Sequence, residues 1–221
     1  MFITYPQFEE FREIVGFTTT RQGGVSRDER FSSFNVGVYT NDDVENINAN
    51  RAMLCRDLGV EASRLFNAHQ THGDRIVCVD EAVTKMSVAG VKDLLEGCDG
   101  LITAEKGVCV AVTTADCVPV LLYDRKRGVA AAVHSGWRGT LLNISAKAVA
   151  VMKEKYGCDV SDIVSVVGPC ISQDNYQVGV DMRERFVERN PSFASFFADD
   201  KSGSEKCFMN IREIVRKELE D

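Results

Sequence analysis

The chain has 221 residues, 44% of them hydrophobic and 27% charged, and a net charge of −7. This is the composition of an ordinary globular protein with room for one large domain or two small ones. It excludes a nucleic-acid binder that works through a basic surface, and no apolar run approaches the ~20 residues of a membrane span. A small anionic substrate stays open, because a local group of arginines can bind phosphate inside an acidic protein.

The eight cysteines do not read as a disulfide framework. The N-terminal stretch MFITYPQFEEFREI has neither a basic segment nor an apolar one of secretory type, so the expected setting is the reducing cytoplasm. No Cys-x-x-Cys pair occurs, which excludes a zinc ribbon and a thioredoxin motif. Most of the cysteines lie in apolar runs and read as small buried hydrophobes.

In chain order, residues 14–20 form a β-type run that leads into Arg21-Gln22-Gly23-Gly24-Val25-Ser26, where two glycines allow a close backbone approach or a plain turn. Residues 34–39 read as a strand with Asn35 at its start. Asn41-Asp42-Asp43 caps a helix whose buried face carries Val44, Ile47, Leu54 and Leu58, with Arg51 on the solvated side and Gly59 as its stop. Residues 65–68 and 75–79 read as strands around the turn His69-Gln70-Thr71-His72-Gly73-Asp74. Residues 81–97 read as a short amphipathic piece or loop. Residues 98–103, 108–112, 118–123 and 128–133 are β-type; 108–112 is alternating, 118–123 is continuously apolar and 128–133 is small and apolar, and continuous apolar strands predict a sheet covered on both faces. Residues 140–156 form the longest predicted helix, with Gly157 after its end. A strand over 163–167 and helices over 180–188 and 211–220 follow, the last with Asn210 as N-cap. The mixture predicts a mixed α/β (α+β) fold in a single domain.

The chemistry gathers in one stretch, TTADCVPVLLYDRKRGVAAAVHSGWRG, residues 113–139. Asp116 and Cys117 stand at the start of one strand and His134 at the end of the next. A short turn joins the two strands, which brings Cys117 and His134 together if they pair antiparallel. His69 and His72 are the other two of only three histidines. His72, Cys117 and His134 are donors of the kind zinc takes. Cys117 with His134 as its base is an alternative nucleophile pair, and a core cysteine with surface histidines is the plain structural one. Asp116 reads as a proton carrier or as a carboxylate that orients a ligand, or else as a turn residue. Gly136-Trp137-Arg138-Gly139 leads into the predicted helix, whose N-terminus suits an anion. Arg21 and Arg138 are candidates to hold phosphate, Trp137 and Tyr176 to stack on a base, and Asn35 and Gln70 to hydrogen-bond it.

Five motifs together resemble a known family. They are Thr19-Thr20-Arg21-Gln22-Gly23-Gly24-Val25-Ser26, His69-Gln70-Thr71-His72-Gly73, Ala115-Asp116-Cys117-Val118-Pro119-Val120, His134-Ser135-Gly136-Trp137-Arg138-Gly139 and Gly168-Pro169-Cys170-Ile171. In that order they are similar to the bacterial multicopper polyphenol oxidoreductase (laccase) family, also called the peptidoglycan editing factor family. Its human relative is a purine nucleoside enzyme of macrophages. The resemblance implies a zinc site of His72, Cys117 and His134, with Asp116, Cys117 and His134 as catalytic residues. It implies phosphorolysis of adenosine, inosine, guanosine and methylthioadenosine, with adenosine deaminase activity. The laccase label suits the sequence poorly, since multicopper oxidases need several times the three histidines present. The implied fold is similar to the cytotoxic necrotising factor catalytic domain, with layered helices around two mixed β-sheets. That likeness also implies an alternative, a Cys117-dependent amidase or hydrolase such as a peptidoglycan-precursor editing enzyme. A third reading is a non-catalytic, metal-stabilised binding module. Family members continue past the last residue here, so residues 1–221 are expected to form one catalytic domain that is short of a C-terminal segment.

Overall fold

The computed structural model describes residues 2–201 and 205–221. In chain order the regular elements are β1 (Phe2–Thr4), α1 (Pro6–Glu9), β2 (Phe17–Thr19), α2 (Val44–Leu58), β3 (Leu65–Asn67), β4 (Ile76–Cys78), α3 (Glu81–Thr84), α4 (Val88–Leu94), β5 (Gly100–Thr103) and β6 (Cys109–Ala111). They continue with β7 (Val118–Asp124), β8 (Val129–Ser135), α5 (Trp137–Leu141), α6 (Ile144–Tyr156), β9 (Ile163–Val167), β10 (Gln177–Gly179), α7 (Val180–Arg189), β11 (Phe197–Asp199), β12 (Lys206–Met209) and α8 (Ile211–Glu220).

The organising layer is a five-stranded sheet in the order β4-β5-β8-β7-β9. β4 runs parallel to β5 and the other neighbours are antiparallel. The apolar runs of β7 and β8 predict burial on both faces, and the packing bears this out. On one face Val118, Val120, Leu122, Ala131 and Val133 meet Ile144, Ala148 and Met152 of α6 and Ile211, Ile214 and Val215 of α8. On the other face Tyr123, Leu121 and Ala130 meet Tyr5 and Phe8, while Leu101 packs with Phe66 and Val79. The remaining strands form a three-stranded antiparallel sheet, β10-β12-β11, and two pairs, β1-β2 and β3-β6. The mixed α/β fold class is as expected. The layering differs in detail: among the described residues one large mixed sheet carries the core, and three small sheets stand where a second mixed sheet was implied.

Local sequence signals account for several boundaries. The Asp43 side chain accepts from the Glu45 amide at the start of α2, and Gly59 ends it in the left-handed conformation, φ 66°. Asn210 caps α8 by accepting from Glu213 N at 3.3 Å, and Gly157 closes α6 at φ 65°.

Five readings are corrected. Residues 34–39 form no strand. Their segment is a loop organised by the fully buried Asn50, whose amide donates toward Ser33 O, Asn35 O and Ser26 Oγ and accepts from Val25 N. Side-chain hydrogen bonds from α2 replace a β-ladder there. Arg51, expected in solvent, turns inward and donates to Asn67 Oδ1 (2.6 Å), Leu65 O (3.2 Å) and Val36 O (3.4 Å); burial lowers its pKa. Val44, expected on the apolar face, is 67% exposed because it occupies the first helical turn, beyond the core. Residues 81–97 hold two helices, α3 and α4, capped by Asp80 and Ser87. The predicted helix over 140–156 starts earlier, at Trp137, and breaks at Asn143, whose φ of 61° interrupts the ladder between α5 and α6. No helix among the described residues is long and apolar enough to cross a membrane.

Candidate metal centre

The β7–β8 hairpin sets the site. Its register pairs Pro119 with His134 and Val118 with Ser135, so the next step places Cys117 opposite Gly136. A Cβ on Gly136 would lie 3.1 Å from Cys117 Sγ, 3.1 Å from His72 Cδ2 and 3.5 Å from His134 Cε1. The missing side chain is therefore the room in which three reactive side chains meet. His72 arrives from the turn after β3, in the left-handed region at φ 62°. The rings of His72 and His134 stand edge to face, 4.9 Å between centroids at 83°. One donor atom from each of His72, Cys117 and His134 lies within 4.8 Å of the others. Gly139 presses the turn into place, since a Cβ there would come within 2.9 Å of Gly73 O.

Behind the cluster lies a residue that the sequence reading missed. Asp99 is fully buried. It accepts from the amides of Thr71 (3.2 Å), His72 (3.0 Å) and Gly73 (2.8 Å) and faces His134 Nδ1 at 2.7 Å. Burial alone would push this carboxyl up, but the hydrogen bonds from His134, Gly73 and Thr71 hold it below the ordinary aspartate range. Burial likewise pulls the His134 imidazole down, yet hydrogen bonds to Asp99 and Cys117 outweigh it and raise His134 to about 9. In the neutral ring a carboxylate at Nδ1 selects the Nδ1–H form, and Nε2 is then the nitrogen that can take a metal or a thiol proton. The structure supplies what the sequence lacks: Asp99 directly precedes β5, and the β5–β8 register, Gly100 with Val133, puts position 99 opposite His134.

The other predicted residues fall into two groups. Asp116 is exposed beside Cys117, and its carbonyl accepts from Ile171 N at 2.9 Å, which ties the Gly168–Ile171 motif to the site. Tyr176 lies on the same side; burial, then nearby Cys117 and Asp116, push its phenol up to about 12. Trp137 begins α5 and is flanked by the guanidinium groups of Arg138 (4.8 Å) and Arg185 (5.5 Å). The second group is engaged in loop structure. Arg21 donates to Ser32 O and Glu29 O, both at 2.8 Å. Asn35 donates to Thr40 Oγ1 and Asp42 Oδ2 and accepts from Gly37 N. Gln70 exchanges two hydrogen bonds with the Thr113 backbone, at 2.8 and 2.7 Å. His69, which sequence alone could not separate from His72, stacks on Tyr39 at 4.2 Å and pairs with Glu96 at 2.7 Å, outside the cluster.

Two imidazoles and one thiol suit a divalent transition metal, and three protein donors are the number found in catalytic zinc sites. The donor chemistry, the room that Gly136 leaves and the carboxylate behind His134 all fit such an ion.

The chain is similar to known proteins across most of its length. It is 36% identical over 182 residues to a purine nucleoside phosphorylase of Bacteroides thetaiotaomicron, covering 82% of this chain and 67% of that protein. It is 37% identical over 189 residues to adenosine deaminase RL5 from an unknown prokaryotic organism, covering 81% and 71%. The crystal structure of the hypothetical protein YfiH of Bacillus licheniformis superposes with a TM-score of 0.87 at 26% identity, over 99% of this chain and 80% of that one. The chain spans 62% to 74% of the length of such curated relatives. The model of the family described as multi-copper polyphenol oxidoreductase laccase matches residues 15–221. With the His72–Cys117–His134 cluster inside that span, the chain belongs to the multi-copper polyphenol oxidoreductase laccase family.

Proposed function

We propose that the chain is a zinc-dependent purine nucleoside phosphorylase, acting on adenosine, inosine, guanosine and methylthioadenosine, with adenosine deaminase activity. Residues 1–221 would act as its catalytic domain, in the cytoplasm. The observation that carries the proposal is the convergence of His72, Cys117 and His134 within 4.8 Å, in a chain whose relatives bear those two enzyme names. Zinc rather than a copper cluster is favoured because a three-histidine chain has donors for one ion. When bound, zinc supplies a Lewis acid and an activated water.

The chain's own residues do the rest. In phosphorolysis a phosphate oxygen bonds to the ribose C1′, the N-glycosidic bond breaks, and the departing base takes a proton. In deamination water adds at C6, and ammonia leaves with a proton. Both reactions need a proton carrier at the mouth of the site. Asp116, exposed and next to Cys117, would be that carboxylate. Arg138, exposed at the first turn of α5, would be the cation that meets phosphate, with Trp137 and Tyr176 as apolar surfaces for a base. Arg21 would help to hold phosphate, and Asn35 and Gln70 would hydrogen-bond the base, from loops that their own hydrogen bonds order.

One observation favours a second reading. His134 lies between the Cys117 thiol and the Asp99 carboxylate, the Cys–His–Asp arrangement of a nucleophilic hydrolase. Product analysis separates the two. Adenosine and inosine should yield ribose 1-phosphate only with phosphate and zinc present, and adenosine should also yield inosine. Hydrolase activity that survives complete zinc removal but disappears in Cys117→Ser would overturn the phosphorylase reading.

A further inference from the structure

Asp99 carries more than a supporting hydrogen bond. Its two oxygens have about four lone-pair directions, and four donors fill them: the amides of Thr71, His72 and Gly73, and His134 Nδ1. Three consecutive amides can point at one carboxylate because the residue in the middle, His72, sits at φ 62°. That conformation is one an L-residue rarely adopts without support from its surroundings. A concave group of amides is an anion cradle, and here the anion is a side chain of the same protein. Without it, the three amides lose their shared acceptor, and relaxation of the His72 backbone out of the left-handed region would swing the imidazole out of the cluster.

The other end of the same carboxylate acts on the other histidine. Asp99 stands opposite His134 in the β5–β8 register, and its carbonyl accepts the His134 amide at 2.7 Å. Its own amide donates to Arg75 O at 2.9 Å. The side chain therefore cannot drift relative to the ring it faces. A fixed carboxylate at Nδ1 keeps the proton on that nitrogen and turns Nε2 toward Cys117 and His72.

We infer that Asp99 is the positioning residue for both histidines: it fixes the backbone conformer of His72 and the tautomer of His134, so that a metal meets a preorganised site. This rests on the metal-centre reading above. The inference concerns the two histidines as a pair, which a carboxylate serving one of them alone would not couple.

The experiment is a metal titration against a chromophoric chelator, with zinc and with cobalt(II), on the wild type, Asp99→Asn and Cys117→Ala. The amide keeps the carboxylate's volume but presents N–H groups to a ring of N–H donors. Asp99→Asn is expected to weaken zinc binding about ten- to hundredfold. Its cobalt complex should keep the thiolate charge-transfer band of Cys117 and show altered ligand-field bands. Cys117→Ala should lose that charge-transfer band. In the wild type, cadmium-113 should couple to Nε2 of His134 in nuclear magnetic resonance spectra, with the remaining ring proton on Nδ1. Zinc affinity of Asp99→Asn within twofold of wild type, with an unchanged cobalt spectrum, overturns the inference and leaves the metal centre standing. Equal zinc binding by wild type and Cys117→Ala overturns the metal centre and the inference with it. If Asp99→Asn does not fold, the cadmium spectrum decides alone: coupling through Nδ1 of His134 overturns the inference.

Discussion

The two ends of the β7–β8 hairpin hold the same kinds of residue and do different things with them. At one end, Asp99, Cys117 and His134 meet His72 around the space left by Gly136. At the other, a buried aspartate, Asp124, lies against a buried cysteine, Cys158. Asp124 Oδ1 accepts from the amides of Lys126 (2.8 Å) and Arg127 (2.9 Å) and so closes the turn that returns the chain into β8. Burial and the neighbouring carboxylate push the Cys158 thiol up to about 12, which leaves it a packing group. What separates the ends is a second element that converges. The His72 turn, bent into the left-handed region, brings another donor to one end, whereas the turn at the other end folds back on its own carboxylate. Chemical competence here comes from topology, not from the presence of Asp and Cys.

The sharpest way to break this contrast is to remove the sulfur at each end. Cys117→Ala takes away one of three donors and is expected to weaken zinc binding more than about a hundredfold, with little change in unfolding. Cys158→Ala is expected to leave metal content unchanged and to cost about 1–2 kcal/mol of stability, because a packed group leaves a small cavity in the core. Metal analysis by emission spectroscopy with urea unfolding on the same preparations checks both. Metal loss in Cys158→Ala, or full metal retention in Cys117→Ala, would remove the distinction.

A subtler pair uses glycines. Gly136 is extended, at φ −73°, so alanine fits its backbone and the conflict lies only with Cys117 Sγ and His72 Cδ2, 3.1 Å from the new Cβ. Overpacking of that kind costs about 1–3 kcal/mol, and about 1.4 kcal/mol of it taken from metal binding lowers zinc affinity about tenfold. Gly128 has the opposite problem. Nothing lies within 4 Å of a Cβ there, but its φ is 66°, which costs alanine about 1–2 kcal/mol. Gly128→Ala is therefore expected to lower the melting temperature and leave zinc affinity alone, while Gly136→Ala is expected to lower zinc affinity.

The sequence made the end that carries Cys117 and His134 legible and the structural details around it much less so. Apolar continuity in 118–123 and 128–133 located the hairpin, and a hairpin read antiparallel already brings Cys117 near His134. The caps at Asp43 and Asn210 were legible because their partners lie two or three residues away. Asp99 was not, because what it binds lies 26 to 35 residues away, and in the sequence it looks like any acidic turn residue before a glycine. The same reason hid the loop at 34–39 and the inward turn of Arg51. Both depend on contacts across 14 to 17 residues between α2 and the segments beside it. Short-range physics was readable; side chains that order distant loops were not.

The smallest expected effect, and the one that tests the turn end by itself, belongs to Asp124. Burial pushes its carboxyl up, but hydrogen bonds from Arg127, Cys158 and Lys126 win and hold it below the ordinary 3.8. A folded-state value below the unfolded one means that the unfolded chain takes up protons first as the pH falls. The stability Asp124 contributes is therefore fully present above 3.8 and is lost as the pH drops through the lowered value. In Asp124→Asn the turn amides keep a neutral acceptor and lose a charged one, a difference of about 1 kcal/mol at neutral pH. Urea unfolding of both proteins from neutral pH to about pH 3 should show that gap shrinking toward the acid end, with zinc affinity equal throughout. A gap that stays constant over the range would mean that the ionised carboxylate is not what closes the turn. A change in zinc affinity would mean that the two ends of the hairpin are coupled through β7 and β8, contrary to the separation argued above.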